Sequence, residues 1–225
     1  MYTVVNDHPS EPSHLAAEPT GSAAASTRAG KELRLPRGQT LFYDEDDAEY
    51  FFEIVSGTVR CCRLIQDGRR QIHRFAGAGE LLGLSGQDSY NYSAEAVTDI
   101  VVRRHRLASL DSEMACDGAL RRQVLQALRD ELAATRTQMM LLGRMSATEK
   151  LSSFLLALAG RSAAPGACID LPMTRSDIAD YLGLTIETVS RKMNELHALG
   201  VIRLETASHV RITDCDRIEA IADAA

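Results

Sequence analysis

The sequence predicts an α+β protein in which a small domain of short strands is joined by a long helix to a C-terminal helical domain. Three observations predict this fold class. Short apolar runs separated by glycines extend from about residue 33 to 106, a stretch without proline runs from about 107 to 144, and helix-capping patterns recur after residue 145. A chain of 225 residues with 45% hydrophobic residues can bury two modest cores, as this division requires.

Residues 1–30 are predicted to be a disordered tail. They mix Ala, Ser, Pro, Thr and Gly and contain hardly any large apolar residue, so the little surface they could bury would not offset the entropy lost on ordering. The first residues lack the basic-then-apolar order of a secretory signal, and no run in the chain approaches the roughly 18 apolar residues of a membrane helix. We therefore expect a cytoplasmic protein that does not associate with a membrane.

Residues 31–106 are predicted to form a β-roll or β-sandwich. Runs such as YFFEIVSGTVRCCRLI and YSAEAVTDIVVRR are rich in β-branched and aromatic residues, and six or more strands of this kind follow one another. The pair Asp67 and Gly68 falls between VRCCRLI and RRQIHRF. It favours a two-residue hairpin turn, because both central positions of that turn require positive φ.

Residues 107–144 are predicted to form a dimerisation helix. Their apolar positions follow one another in steps of 3, 4, 3, 4 and 3, the spacing of a coiled-coil seam. One interpretation is a helix that lies on the core of its own domain. The other, which we favour because the stripe is longer than a small roll can cover, is a partner helix, and self-pairing then gives a two-fold homodimer. The seam consists of Leu125, Leu128, Leu132, Thr135, Met139 and Leu142.

Residues 145–225 are predicted to form a winged helix-turn-helix domain that begins near Arg144. Ser146 and Glu149 match a capping box, and Gly160 stands where the helix they begin would end. The segment from Ile169 onward reads as a short strand, two helices, a hairpin and a terminal helix. This order is that of a helix-turn-helix followed by a wing.

The two helices of the predicted helix-turn-helix have their own start and turn signals. Thr174 followed by Asp177 is a capping signature, in which the hydroxyl accepts a hydrogen bond from an orphan amide and the carboxylate lies at the positive helix end. Gly183 follows as the turn residue. Val189 and Met193 then continue an apolar stripe along the second helix, which leaves its opposite face polar.

The polar face of the second helix carries three side chains suited to reading base edges. Arg191 can donate two hydrogen bonds to guanine, Glu187 can accept one from cytosine, and Ser190 can bond to either kind of edge. A solvated face on a small helical domain is the alternative, and the combined glycine and apolar spacings favour DNA. The residues expected to support these contacts or to bind phosphates are Thr174, Arg175, Thr185, Ile186, Thr188 and Lys192.

The acidic net charge of −6 is compatible with a local DNA-binding surface. Five basic and five acidic residues lie between Leu171 and Arg211, so this domain is locally neutral. Such a domain should bind DNA mainly when two copies engage adjacent grooves, with an affinity that falls as salt rises. Dimerisation is therefore predicted to be part of the mechanism.

The motifs resemble the cyclic-AMP receptor and fumarate-nitrate regulator (CRP/FNR) superfamily of bacterial transcription factors over about residues 33–222. GELLGL and YSAEAV resemble the cyclic-nucleotide-binding roll, and LPMTRSDIADYLGLTIETVSR is similar to the family's helix-turn-helix. Ile186 stands where the cyclic-AMP receptor carries Arg, and Glu187, Ser190 and Arg191 match the FNR and FixK branch. The resemblance implies a homodimer that reads palindromes with TTGAT-type half-sites, contacts RNA polymerase and controls genes for low-oxygen or nitrogen-oxide metabolism.

The resemblance also implies an effector pocket at Glu80, Tyr92 and Ser93. Tyr92 occupies the position of the Arg that pairs with the cyclic phosphate in nucleotide sensors, which argues against cyclic AMP because an unpaired buried phosphate is costly. No cysteine precedes Cys61, which argues against the iron-sulphur cluster of the FNR oxygen sensors. A FixK-type regulator without an obligatory cofactor is therefore the leading interpretation.

Haem and thiol chemistry are the other effector hypotheses. His73, His105 and His197 lie in the folded regions without a recognisable partner, so a sensor whose roll binds haem or another small molecule is kept as the alternative. The adjacent Cys61 and Cys62 should point to opposite faces of one strand. One buried and one exposed reduced thiol is favoured over a redox switch.

The sequence does not favour an enzyme. It contains no nucleophile next to a plausible base and no His/Cys cluster with metal-ligand spacing, and GAGELLG lacks the Lys of a phosphate-binding loop. The acidic strip of residues 44–49 is interpreted as an exposed turn rather than a metal site. No metal ion is predicted.

Overall fold

The computed structural model describes residues 30–66, 68–84, 88–160 and 168–223. The predicted tail lies outside these ranges except for Gly30, and so does Asp67 of the predicted hairpin turn. The described chain has the predicted α+β architecture, with an N-terminal β-roll, a long helix and a C-terminal helix-turn-helix domain.

The β-roll consists of two four-stranded antiparallel sheets. In one sheet the strand order is β1-β8-β3-β6, and in the other it is β2-β7-β4-β5. The strands are β1 (Lys31–Leu35), β2 (Thr40–Phe42), β3 (Tyr50–Ser56), β4 (Val59–Leu64), β5 (Arg70–Ala76), β6 (Leu81–Leu82), β7 (Ser93–Ala96) and β8 (Ile100–Arg106). β4 and β5 present their second face to the C-terminal domain, so they join the two parts of the chain.

The turn between β4 and β5 is longer than the sequence predicts. The two strands pair from Val59↔Ala76 to Leu64↔Arg70, and beyond them the Ile65 amide donates to the Arg69 carbonyl at 2.8 Å. Gly68 has a φ of 83° and donates to the Ile65 carbonyl at 2.9 Å. Three residues rather than two therefore separate the last hydrogen-bonded pair, as in hairpins where a single glycine takes the left-handed position.

Aromatic rings fill part of the interior between the two sheets. Phe42 stacks on Tyr90 with ring centroids 3.9 Å apart, and it also contacts Phe52 at 5.7 Å and Tyr92 at 5.4 Å. All four residues are buried. These side chains supply much of the apolar surface that holds the sheets together.

The helical region after the roll has a break that the sequence analysis did not predict. A single 3-10 turn (Leu107–Ser109) leads into α1 (Leu110–Cys116), and the long helix α2 (Gly118–Arg144) starts only after Asp117. Asp117 has extended backbone dihedrals, and its carboxylate accepts from the amides of Ala119 and Leu120. It is therefore the N-cap of α2, and the long helix occupies residues 118–144 of the predicted helical region.

The C-terminal domain has the predicted order of a strand, two helices, a hairpin and a final helix. These elements are preceded in the domain by α3, whose capping box of Ser146 and Glu149 and C-cap Gly160 agree with the sequence signals. A three-stranded antiparallel sheet with the order β10-β11-β9 forms the wing. The elements are α3 (Ala147–Ala159), β9 (Cys168–Asp170), α4 (Arg175–Leu182), α5 (Ile186–Ala198), β10 (Ile202–Leu204), β11 (His209–Ile212) and α6 (Cys215–Ala222).

Cys61 and Cys62 point to opposite faces of β4, as predicted, but both are buried. Cys61 lies in the interior of the roll, whereas Cys62 packs in the core of the helix-turn-helix domain. The prediction of one exposed thiol was wrong, because the C-terminal domain covers the outer face of β4. Burial raises the pKa of Cys61 to about 12 and that of Cys62 to about 11, so both are thiols at neutral pH.

Gly57, in the turn between β3 and β4, is expected to be intolerant of any side chain. Its φ is 89°, and a Cβ there would lie 2.4 Å from the Asp99 carbonyl oxygen. Gly38 has a φ of 86° with no atom within 4 Å of such a Cβ. Gly38→Ala should therefore cost about 1–2 kcal/mol from the left-handed backbone alone, and Gly57→Ala should cost more. Urea unfolding of the two variants measures this difference, and equal losses would contradict it.

Candidate nucleic-acid interface

The first helix of the helix-turn-helix is defined at both ends by the predicted signals. Thr174 is the N-cap of α4, and its hydroxyl and amide exchange hydrogen bonds with Asp177 in a capping box. Gly183 ends the helix with a φ of 62°, the left-handed conformation that glycine adopts most easily. Ile178, Ala179 and Leu182 are buried and form the inward face of α4. This start and turn determine where α5 begins.

Asp177 is a buried carboxylate that is paired with two arginines. Its side chain is 2% exposed, and burial by itself would raise its pKa. Hydrogen bonds from Thr174 and the nearby guanidinium groups of Arg60 and Arg70 outweigh burial and hold the pKa of Asp177 below its ordinary value of 3.8. The carboxylate is therefore ionised at neutral pH and joins the helix cap to the β-roll.

The lowered pKa of Asp177 predicts a defined pH dependence of stability. A carboxyl group with a lowered folded-state pKa contributes stability above its unfolded pKa, and the contribution is lost as pH falls through the folded value. We expect Asp177→Asn to lower the free energy of unfolding near neutral pH. The deficit should shrink below pH 3.8, as the wild-type carboxylate takes up a proton.

Urea unfolding of wild type and Asp177→Asn at a series of pH values tests this expectation. Glu205→Gln is the comparison for an exposed pair with Arg211 at 2.8 Å, and its deficit should be much smaller because solvent screens that pair. A deficit in Asp177→Asn that did not change with pH would contradict the assignment.

The second helix, α5, buries one face and exposes the predicted reading face. Val189, Met193 and Leu196 are buried, and together they pack α5 onto the domain core. Glu187 and Arg191 are exposed on the opposite side, and Ser190 is half-buried between the two faces. The three predicted readers therefore lie near the N-terminal end of α5, the part of a recognition helix that reaches base edges.

Glu187 is held as a carboxylate at the start of α5. Its own backbone amide and the Thr185 hydroxyl hydrogen-bond to it and hold its pKa below the usual range. A carboxylate at a helix N-terminus is also favoured by the helix dipole. Glu187 can therefore act only as an acceptor, as hydrogen bonding to a cytosine amine requires.

The predicted supporting residues surround these readers. Thr185 is the N-cap of α5, and its hydroxyl accepts from the Thr188 amide at 3.2 Å. Ile186 is the exposed apolar residue next to Glu187, and Lys192 is paired with Glu195 at 2.6 Å. The Thr185 and Thr188 hydroxyls lie 3.1 Å apart, so they form a hydrogen-bonded pair at the start of α5.

Arg175, the first residue of α4, contains a buried donor that lacks a protein partner. Among the described residues, no acceptor lies within hydrogen-bond distance of its Nη1 atom, and burial lowers the pKa of its guanidinium. A buried donor without an acceptor costs free energy, which a phosphate oxygen could recover. Its position at the N-terminus of α4 is suited to a backbone phosphate.

The wing adds polar residues that the sequence analysis did not single out. At the tip between β10 and β11, the hydroxyls of Thr206 and Ser208 lie within 3.1 Å of His209 Nδ1, and all three residues are exposed. The only signal in the sequence was a short polar stretch between two strands. This stretch indicates a hairpin but not which surface its tip shares with other elements.

The predicted seam on α2 is exposed along its length. Leu132 is 53% exposed and Met139 is 71% exposed, while Leu125, Leu128 and Thr135 are exposed on the same side. The face that packs against the rest of the chain is a different one and contains Leu120, Val124, Gln138 and Leu141. Leu142 packs partly against its own chain at Gly183, because a Cβ added to Gly183 would lie 3.0 Å from the Leu142 Cδ2 atom.

The three predicted effector-pocket residues have intramolecular partners. The Glu80 carboxylate accepts from the Gly77 amide, and its other oxygen lies 3.6 Å from Arg74. The buried Tyr92 hydroxyl accepts from the Gly83 amide at 2.9 Å, and the Ser93 hydroxyl accepts from the Asp44 amide at 2.9 Å. These polar groups therefore hold turns and strands of the roll itself.

The three histidines considered as haem ligands lie in different surroundings. His73 has its ring edge against Tyr92, and burial together with Arg74 and Arg63 lowers its pKa to about 4. His105 is buried and stacked on Phe51, and His197 lies 3.1 Å from the Ile202 carbonyl. Within the described part of the chain, no three His, Cys, Asp or Glu side chains are grouped so that they could hold a metal ion.

Comparison with known proteins supports both halves of this architecture. The Crp-like helix-turn-helix domain matches residues 149–221, and the cyclic nucleotide-binding domain matches residues 32–115. The nitrogen fixation regulation protein FixK of Bradyrhizobium diazoefficiens is 38% identical over 198 residues, which cover 87% of this chain and 83% of that protein. The chain belongs to the CRP/FNR family of transcription regulators. It is a DNA-binding regulator and not an enzyme.

Other CRP/FNR regulators agree with this assignment. FixK of Azorhizobium caulinodans is 41% identical over 189 residues, covering 79% of this chain and 73% of that protein. The solved structure of FixK2 from Bradyrhizobium japonicum superimposes with a TM-score of 0.81 at 35% identity, covering 88% of this chain and 100% of that chain. Within the described ranges, no helix is both long enough and apolar enough to span a membrane.

Proposed function

We propose that this CRP/FNR regulator is a homodimeric transcription activator that binds palindromic promoter sites with TTGAT-type half-sites. It acts in the cytoplasm through contact with RNA polymerase, requires no obligatory cofactor, and controls genes for low-oxygen or nitrogen-oxide respiration. The observation that carries the proposal is the reading face of α5, on which Glu187, Ser190 and Arg191 lie together at the N-terminal end. These are the donor and acceptor types that base edges in the major groove recognise.

The exposed α2 seam supports the homodimer. Five of its six predicted positions are apolar, and all six are exposed in the single chain. An apolar stripe of this length on one helix is typical of an interface, because water contact is unfavourable along its whole length. A second copy supplies an identical stripe, so two-fold pairing covers both at once. Two recognition helices are then available for the two halves of a palindrome.

The internal hydrogen bonds of the roll support effector independence. Glu80, Tyr92 and Ser93 accept hydrogen bonds from backbone amides of the roll, and a ligand that displaced these bonds would cost free energy unless it replaced each of them. Burial also raises the pKa of Tyr92 far above its usual range, so its hydroxyl stays neutral and cannot neutralise the charge of a cyclic phosphate.

Equilibrium binding of purified protein to fluorescent duplexes tests the proposal. We expect ligand-free protein to bind a TTGAT palindrome and to discriminate against a scrambled duplex of the same composition, with and without oxygen. The affinity should fall with salt by a slope of about −0.9 per phosphate contacted. Binding that appears only after an effector is added would favour the gated sensor instead, and a haem absorption band in fresh protein would identify its ligand. Failure to discriminate under any condition would overturn the DNA-reading assignment.

A further inference from the structure

A group of five charged side chains joins the β-roll to α4. Arg60 on β4 and Arg70 on β5 both donate to Asp177 Oδ1, at 3.0 and 2.7 Å. Arg70 also bonds Asp180 Oδ2 at 2.8 Å, and Glu95 on β7 bonds Arg60 at 2.6 Å. We name these residues the roll–helix latch: Arg60, Arg70, Glu95, Asp177 and Asp180.

The latch and the cap of α4 share one carboxylate. Asp177 Oδ2 accepts from the Thr174 amide and hydroxyl at 3.0 and 2.8 Å, while Oδ1 accepts from the two arginines. One oxygen therefore holds the first turn of α4, and the other holds that turn against the roll. The side chains of Asp177, Arg60 and Arg70 are only 2%, 19% and 24% exposed, so water screens these bonds less than it would on an open surface.

The opposite end of α4 is also fixed from outside the helix-turn-helix. Gln138 of α2 donates to the Tyr181 carbonyl at 2.6 Å, and Lys150 of α3 lies 3.3 Å from the Leu182 carbonyl. Gln71 of β5 adds a bond to the Asp180 carbonyl at 2.8 Å. With both ends of α4 held, the orientation of α5, which packs across it, is set relative to the roll.

Apolar contacts accompany these bonds. Phe75 of the roll lies 6.4 Å from Phe154 and 5.5 Å from Tyr181, measured between ring centroids. Such contacts hold the domains together but are not directional, whereas the arginine–carboxylate pairs fix angles as well as distances.

We infer that Arg60 and Arg70 are positioning residues for DNA reading: by clamping Asp177 and Asp180 they set the angle and separation of the two recognition helices in the dimer. The inference rests on the proposed dimeric binding of palindromes. In a dimer held through α2, each α5 is oriented by its own latch. The latch therefore determines which spacing between half-sites the dimer accepts, although no latch residue belongs to the predicted reading face.

The test compares affinities for three duplexes. They are a TTGAT palindrome with the spacer length that wild type binds most tightly, the same palindrome with one base pair inserted in the spacer, and a single half-site. The insertion moves the half-sites apart by about 3.4 Å and rotates one by about 34°. Wild type should bind the first palindrome much more tightly than the palindrome with the inserted base pair. In Arg70→Met the affinity for the first palindrome should fall by about tenfold, and the ratio of the affinities for the two palindromes should move closer to one. The reason is that a loosely oriented second domain has a lower effective concentration at its half-site. Affinity for the single half-site should not change.

Two variants make the result specific. Arg63→Met is the matched control, because Arg63 is an arginine of β4 that pairs with Asp44 within the roll at 2.9 Å. Arg70→Lys keeps the charge and should restore part of the spacer preference. If Arg70→Met does not fold, Asp180→Ala removes a bond of Arg70 while leaving Asp177 paired. The ratio of the affinities for the two palindromes is then measured with that variant.

The outcomes separate this inference from the proposed function. A lower melting temperature of Arg70→Met with an unchanged spacer preference would show that the latch serves stability alone, and the inference would fall. Wild-type protein that did not distinguish the palindrome from scrambled DNA would instead overturn the proposed function, and the inference with it.

Discussion

Arg191→Ala is expected to weaken selective binding to the TTGAT palindrome more than any other single change at the reading face. The Arg191 side chain is exposed on α5, and a bidentate contact with guanine contributes about 1–3 kcal/mol of discrimination. A homodimer loses that contact twice, so the loss should amount to about 2–6 kcal/mol, or at least a roughly 30-fold weaker affinity. The folded domain should be unaffected, because the α5 side chains that pack the core lie on the other face. Fluorescence anisotropy with matched and single-base-changed duplexes measures both affinity and preference.

Lys192→Ala is the informative comparison for Arg191→Ala. Lys192 is the adjacent cation and pairs with Glu195. If it contacts a phosphate, the Lys192→Ala substitution should weaken binding to all DNA sequences equally. Its removal should also reduce the salt slope by about one per protomer. If Arg191→Ala weakened binding to scrambled DNA as much as binding to the palindrome, Arg191 would be a phosphate contact and its assignment as a base reader would be wrong.

The double substitution Leu132→Glu with Met139→Glu is expected to convert the proposed dimer into monomers. Both side chains lie at the exposed seam of α2, and a buried carboxylate without a partner opposes association strongly. Separated protomers lose the effective concentration that joins two half-site contacts, so palindrome affinity should fall by about 10²–10⁴-fold. Sedimentation equilibrium measures the oligomeric state, and anisotropy measures the affinity of the same samples.

Thr137→Glu is the matched control for the seam. Thr137 is exposed on the same helix but does not belong to the six seam positions. We expect this variant to remain dimeric and to bind the palindrome with little loss. A double seam variant that stayed dimeric would contradict the α2 interface and would direct attention to another surface of the chain.

The seam and the latch have separate roles in this scheme. In the proposed dimer, the seam brings two copies of α5 together, whereas the latch determines how each copy is oriented. A seam variant should therefore lose palindrome affinity and dimer formation together, while a latch variant should remain dimeric and lose mainly its preference for one spacer. Measuring both properties on each variant distinguishes the two contributions.

Much of the fold follows from local signals that the sequence contains. The capping pairs Ser146–Glu149 and Thr174–Asp177 begin α3 and α4, as predicted, and Gly183 takes the left-handed turn. These predictions succeeded because a cap or a turn is decided by residues within about one helical turn of each other. The break at Asp117 was missed although its signal is also local: an aspartate before a helical stretch can be an N-cap rather than a residue within the helix.

The candidate reading face was also accessible from sequence. The 3–4 spacing of Val189, Met193 and Leu196 identifies the buried side of α5, and the face opposite it must then contain Glu187 and Arg191. Periodicity of this kind reports which side of an element is buried. It does not report what lies against that side.

The sequence by itself therefore determined the element order, the helix-turn-helix and the side of α5 that faces outward. Only the tertiary structure decided that Cys62 is covered by the C-terminal domain and that Asp177 is shared between a helix cap and the roll. Arg70 and Asp177 are 107 residues apart, and no local pattern records their pairing. Caps and periodicity depend on neighbours along the chain, whereas the latch depends on how two domains pack, which no short stretch of sequence encodes.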